Sequence, residues 1–265
     1  MVLRFSVMEP RTPPREANMG SKRFRIIGSS MFPNTASSTS RFLAAQPWFA
    51  SLPLSTQTQI SGQVVRTTGQ KGELMLQANV PVAGWYAVLA GLIKIQTVPV
   101  KGRSSTFLGV ARGDWFGEGS ALKAERRRYE VIALRDTELL CLPLAEFNQL
   151  RATSIAFNQV LVKQLNLRLN QAMALIEASR LRTPEQRVAL SLSRLFWNRT
   201  RKLSLSQDEL ANLVGVSRQT ANRALKSLAQ RGLVTLEFGR VDIADDDALT
   251  RFIFSAPETP GRPNP

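Results

Sequence analysis

The tightest constraint on the fold lies between residues 204 and 231, where two helix starts flank a glycine. Ser206 and Glu209 make a capping box, in which the serine hydroxyl accepts from the Glu209 amide and the carboxylate reaches back to the Ser206 amide. Leu205 and Leu210 hold the two positions of a hydrophobic staple. A short helix over residues 207–214 is therefore expected, stopped at Gly215, which tolerates the left-handed conformation of a helix end. Val216 follows, and Ser217 caps a second helix running to about residue 231. Helix, three-residue turn with glycine, helix is the spacing of a helix-turn-helix.

The second helix divides cleanly by face. At about 100° per residue, Arg218, Asn222, Lys226, Gln219 and Arg223 fall within a sector of roughly 140°. Ala221, Ala224, Leu225 and Leu228 fall opposite, where they can pack on the first helix. The polar edge suits double-stranded DNA. Arginine donates twice to guanine O6 and N7, and glutamine pairs with adenine N6 and N7. Ser217, Thr220 and Lys226 are placed to hold phosphates, which fix register without reading sequence. Residues 232–243 then read as two short strands around Phe238-Gly239-Arg240, a wing that would bring Arg240 near the DNA backbone. The local charge agrees, with twelve Arg and Lys against four acidic residues between 180 and 240. The whole chain carries a formal +15, an excess that favours polyanionic partners, either nucleic acid or an acidic membrane surface.

Upstream the pattern is different. Short apolar runs at 64–65, 73–76, 85–89, 92–95, 106–110, 129–134 and 139–142 are broken by turn residues, which implies an antiparallel sandwich or barrel. Ala90-Gly91 stands between two of the runs, as a tight hairpin requires. Pro143 closes this region, and the next sixty or so residues read as helix. Within them Val160, Leu161, Leu165, Leu169, Ala172, Met173 and Ile176 recur in steps that suit one apolar stripe. Leu167 and Leu175 lie off it, so the helix needs two partners: its own β-domain and a second copy of itself. Leu161, Leu165, Leu169, Ala172 and Ile176 are the candidate dimer contacts.

Several functions are excluded by what is missing. The chain has no histidine, which removes the usual haem ligand, the commonest metal ligand and the base of Ser-His or Cys-His catalysis. Its one cysteine, Cys141, cannot form an iron–sulfur or multi-cysteine zinc site within the chain, and it agrees with a reducing cytoplasm. No catalytic residue or metal site is expected. No run approaches the roughly 20 apolar residues of a membrane helix, so no membrane partner is expected. The start, with Glu9 and Pro10 close behind it, does not read as a secretory signal.

The order of parts, together with two motifs, resembles the Crp/Fnr family of bacterial transcription regulators over residues 42–253. One motif is Gly113-Asp114-Trp115-Phe116-Gly117-Glu118, with Arg128 ten residues later; the other is Val214 through Arg223. The resemblance implies an α+β chain: an N-terminal antiparallel β-roll (jelly-roll-like), a long dimerisation helix and a C-terminal winged helix-turn-helix. Its divisions would be a disordered basic arm over 1–40, or residues ahead of a later start at Met19 or Met31, then a cyclic-nucleotide-binding-like sensor over 41–150. A dimerisation helix over 151–180, the winged domain over 181–254 and a flexible tail over 255–265 complete the chain. Arg218, Gln219 and Arg223 align with base readers, and Gln219 stands where many members carry Glu, so the operator sequence does not transfer. A homodimer on a near-palindromic operator is implied, with RNA polymerase as a further partner.

In members that bind cAMP, the Gly-Glu pair meets the ribose and the arginine meets the phosphate, roles that would fall here to Gly117, Glu118 and Arg128. The positions around them depart from that pattern. Tyr129-Glu130 replaces a small Ser-Ala pair, and Ala172-Met173 replaces the hydroxyl pair that reads adenine. The expected effector is therefore not cAMP, and an Arg128–Glu118 bridge of purely structural purpose is an equal alternative. A rival from another class is a cyclic-nucleotide-binding regulatory module acting through protein contacts, which would have no use for the cationic edge at Arg218 and Arg223.

Overall fold

The computed structural model of the chain describes residues 35–98, 105–197 and 199–256. Most of the expected basic arm lies outside these residues, as does the tail from 257. Residues 35–40, assigned to that arm, instead open α1 (Thr35–Ala44), which is followed by α2 (Pro47–Ala50) and α3 (Leu54–Gln63).

The β-region begins with β1 (Val65–Gly69), β2 (Leu74–Leu76), β3 (Gly84–Ala90) and β4 (Leu92–Thr97). It continues through β5 (Thr106–Ala111), β6 (Trp115–Phe116), α4 (Glu118–Lys123), β7 (Tyr129–Ala133) and β8 (Thr137–Pro143). These strands form two four-stranded sheets, β1-β8-β3-β6 and β2-β7-β4-β5, with antiparallel pairing throughout. Met75, Val88, Ile93, Val110, Phe116, Val131 and Leu139 pack between the sheets. The other faces of β3 and β8 are covered too: Trp85, Ala87, Leu140 and Leu142 meet Leu43, Trp48, Phe49, Phe147 and Phe157 from the helices. Burial on both faces explains why these strands are almost continuously apolar rather than alternating.

The hairpin expected at Ala90-Gly91 is absent. β3 pairs with β8 and β6, β4 with β5 and β7, so the chain passes from one sheet to the other at this corner. Gly91 is needed for the corner itself: its φ is +89°, and a Cβ there would come within 2.4 Å of the Asp136 carbonyl oxygen.

After the β-region come α5 (Leu144–Thr153) and α6 (Ile155–Leu181), separated at Ser154, whose hydroxyl caps α6 by accepting from the Phe157 amide. The remainder is α7 (Pro184–Leu192), β9 (Lys202–Leu203), α8 (Gln207–Val214), α9 (Arg218–Gln230), β10 (Val234–Glu237), β11 (Arg240–Ile243) and α10 (Asp246–Phe254). The strands of this part form a three-stranded sheet, β10-β11-β9. A single apolar cluster, including Val188, Leu192, Leu210, Leu225, Leu228, Val241 and Leu249, ties α7–α10 to it. The architecture is a β-roll, a long helix and a winged helix-turn-helix, as expected.

Candidate nucleic-acid interface

Both helix starts form as the sequence directs. Ser206 and Glu209 close the capping box of α8, Gly215 ends the helix at φ +72°, and Ser217 caps α9 by accepting from the Thr220 amide. Arg187 donates to the Val214 carbonyl at 3.0 Å, placing a cation at the carbonyl end of α8. α7 carries a second capping box, Thr183 with Gln186, which went unread although its Thr-Pro-x-Gln signal is present.

Ala221, Ala224, Leu225 and Leu228 of α9 are buried against the winged domain, each leucine contributing about 1.5–3 kcal/mol. That anchoring leaves Arg218, Gln219, Arg223 and Lys226 exposed on the other side, with Asn222 and Thr220 half-buried at its margin. The expected phosphate holders Ser217 and Thr220 bond to each other at 2.8 Å. Arg218 lies 3.5 Å from Asp208, but both side chains are more than half exposed, and such a pair is worth at most about 1 kcal/mol. It does not withhold the guanidinium from a ligand.

The wing forms from β10 and β11, with Phe238-Gly239 at its tip. Arg240 was expected at the DNA backbone, but here its guanidinium is held by Asp242 and lies 3.4 Å from Glu237. The hydrogen bond and charge of Asp242 raise the Arg240 pKa, and the reciprocal contact lowers that of Asp242.

Contacts between the β-roll and the winged domain had no sequence signal, because their partners are far apart in the chain. Arg135 at the β7–β8 turn grips Glu209 with both terminal nitrogens, at 2.7 and 3.0 Å, and also donates to the Ser204 carbonyl. Trp197 lies on Gly109, and Arg199 binds Asp114 at 3.0 Å. Burial alone would raise the Glu209 pKa, but Arg135 and Ser206 hold it below the ordinary carboxylate range. Because the folded pKa is depressed, the stability from this contact is present above the unfolded value of about 4.3 and is lost as pH falls through the folded pKa. The wild type should therefore lose more stability on acidification below that value than Glu209→Gln does. Parallel denaturation curves at each pH would check it, and equal acid sensitivity would count against it.

α6 presents two faces. Phe157, Leu161, Gln171 and Ala178 are buried within the chain. Leu161 was expected at a dimer contact, yet it is 3% exposed and belongs to the core beneath the β-roll, so it is not available to a partner. Val162, Leu165, Leu169, Ala172, Met173 and Ile176 are exposed on the other face. The first three with Ala172 and Ile176 step by three and four residues, the spacing of a coiled-coil seam.

Inside the β-roll the expected site residues separate. Gly117 lies between β6 and α4 at φ +87°. Glu118 is buried, but its partner is Arg168 of α6 at 3.2 Å, not Arg128. The Arg128 side chain is 79% exposed and pairs with Glu125 on the surface. The arginine that enters the roll is Arg127, 3% exposed, which donates to the Gln77 carbonyl at 3.1 Å and stands over the Tyr86 ring. Glu130 faces away from this interior and accepts from Gln96 at 3.0 Å. Burial pushes the Cys141 thiol up to about 11, so it is held as the inert neutral form.

Residues 66–154 match the cyclic nucleotide-binding domain family, and residues 186–252 match the Crp-like helix-turn-helix domain family. The cyclic AMP receptor protein of Thermus thermophilus is 31% identical over 172 residues, covering 64% of this chain and 79% of that one. The transcriptional regulator SdrP of the same organism is 28% identical over 196 residues, covering 69% of this chain and 92% of that one. Among solved structures, a Crp/Fnr-family transcriptional regulator of T. thermophilus has a TM-score of 0.55 at 25% identity, covering 72% of this chain and 98% of that one. FixK2 of Bradyrhizobium japonicum has a TM-score of 0.63 at 18% identity, covering 73% and 98%, a likeness that speaks for the fold alone. Among the described residues, no helix is long and apolar enough to cross a membrane.

Proposed function

This chain belongs to the Crp/Fnr family of DNA-binding transcription regulators, which are not enzymes, and we propose that it binds a near-palindromic operator as a homodimer, with α9 of each copy in a major groove. The observation that carries this reading is the division of α9. One face is fastened by four buried apolar residues, and the opposite face offers Arg218, Gln219, Arg223 and Lys226 to solvent. A solvated helix face ordinarily mixes charges of both signs, whereas α9 carries Arg218, Arg223 and Lys226 with no acidic residue.

In this reading Arg218, Gln219 and Arg223 meet base edges, with Asn222 beside them. Lys226, Ser217 and Thr220 hold phosphates. The exposed seam Val162-Leu165-Leu169-Ala172-Ile176 supports a parallel pair of α6 helices, which would set two recognition helices about one DNA turn apart, roughly 34–36 Å. Arg240 pairs with Asp242 and Glu237 on the wing, contacts weak enough to be exchanged for the DNA backbone. The setting is the cytoplasm, and RNA polymerase is the partner a bound dimer would meet there.

Selection from a pool of random duplexes tests the reading. It should return an inverted repeat with half-sites one turn apart, whereas a protein that competes equally with bulk DNA at every step would contradict it. Lys226→Ala should weaken binding to every duplex alike and reduce the salt slope by about 1. An unchanged salt slope would remove Lys226 from the phosphate contacts.

A further inference from the structure

The interior of this β-roll holds Tyr129 where a cyclic nucleotide would need room. The groups that would receive one are engaged within the chain, except for Glu118 Oε2 and Arg127 Nε, which are buried without a hydrogen-bond partner. Glu118 Oε1 accepts from Arg168 Nε at 3.2 Å. Arg127 gives Nη1 to the Gln77 carbonyl at 3.1 Å and Nη2 to the Tyr86 hydroxyl at 3.4 Å. Tyr129 is the decisive side chain. Along β7 the residues 129, 131 and 133 alternate inward, and Tyr129 packs against the cluster containing Tyr86, Phe116 and Val131. Its hydroxyl lies over Gly117, so close that a single added methyl there would stand 3.2 Å away. The hydroxyl thus occupies the turn that would meet a sugar, with Ser120 and Arg127 in its electrostatic surroundings. On α6, Ala172 and Met173 are exposed and bring no hydroxyl to a base.

We propose that Tyr129 is a built-in plug: its phenol fills the space between Gly117 and Arg127, and this regulator binds its operator without any cyclic nucleotide. The proposal rests on the DNA-reading function above and concerns how that function is regulated. A second set of contacts supports it. Arg168 joins Glu118 to Gln171 at 3.0 Å, and Gln171 donates to the Leu195 carbonyl at 2.7 Å. Arg168 and Gln164 also both donate to the Trp115 carbonyl at 2.9 Å. The β-roll, the long helix and the entry to the winged sheet are thus connected by the chain's own polar side chains. A small molecule that cannot enter has no differential affinity for two states, and it shifts no equilibrium between them.

The test uses the full chain and two probes, cAMP and cGMP. Calorimetric titration up to about 1 mM nucleotide should give no saturable heat. Operator affinity measured with and without the same nucleotides should agree within about twofold. Saturable heat from the wild type, or an operator affinity raised about tenfold by either nucleotide, would overturn the proposal. Tyr129→Ala, shown to be folded by circular dichroism, should take up a nucleotide saturably, while Tyr129→Phe, which keeps the ring, should not. A folded Tyr129→Ala that takes up neither probe would overturn the assignment of the plug to Tyr129. The calorimetric arm needs no DNA, so failure of operator binding under every condition would count against the DNA-reading function and leave the plug to be judged on heat alone.

Discussion

Leu165→Glu is expected to convert the proposed α6 dimer into monomers and to lower operator affinity by roughly 10²–10⁴-fold, the advantage that a second linked half-site confers. Leu165 stands in the middle of the exposed α6 seam, with Val162 and Leu169 on either side in the three-and-four spacing. Paired against a second copy, a carboxylate at this position would be taken out of water with no cation opposite it, at a cost of several kcal/mol. The monomer should tolerate the change, since Leu165 is 39% exposed and the helix is anchored from its other side by Phe157, Leu161 and Ala178. Sedimentation would therefore show a folded species of half the mass. An intact Leu165→Glu dimer would move the interface off this face of α6.

Trp197→Ala should destabilise the chain by about 3–5 kcal/mol, through the cavity it leaves and the contact it removes. Trp197 is 3% exposed, its indole nitrogen donates to the Ser191 carbonyl at 2.7 Å, and its ring rests on Gly109 of β5. The ring can lie there only because residue 109 has no side chain, since a Cβ would come within 2.5 Å of it. Two losses then coincide, in the winged-domain core and in its seating on the β-roll. Denaturant unfolding measures their sum, with Trp197→Phe as a smaller step in the same direction. A loss below about 1 kcal/mol would mean that the neighbours collapse into the space and that this seating is not important to stability.

Legibility in the sequence followed the range of the interactions. Capped starts, the Gly215 stop and the two faces of α9 are local, so residues a few positions apart were enough to find them. The apolar runs of the strands were legible for the same reason, as was the packing of one face of α6 on its own chain. The Ala90-Gly91 corner was misread because a glycine cue reports a backbone turn but not which strand lies alongside; β3 finds its neighbours more than twenty residues away. Leu161 belongs to the same apolar periodicity as Leu165, and only the three-dimensional fold decides which of them faces the β-roll. The motif spacing points to Arg128, ten residues after Glu118, yet the turn after α4 delivers Arg127 inward instead. The Arg135–Glu209 and Glu118–Arg168 pairs join residues 74 and 50 positions apart, and nothing in the local pattern singles them out.

Whether the exposed edge of α9 reads bases is tested most directly by Arg218→Ala on a set of operators that carry every single-base change in one half-site. Affinity for the parent operator should fall by about 1–3 kcal/mol, and discrimination should vanish at one base pair while persisting at the others. A loss of the same size on every duplex, with all preferences intact, would show that Arg218 holds only the backbone and that sequence is read by another part of the molecule.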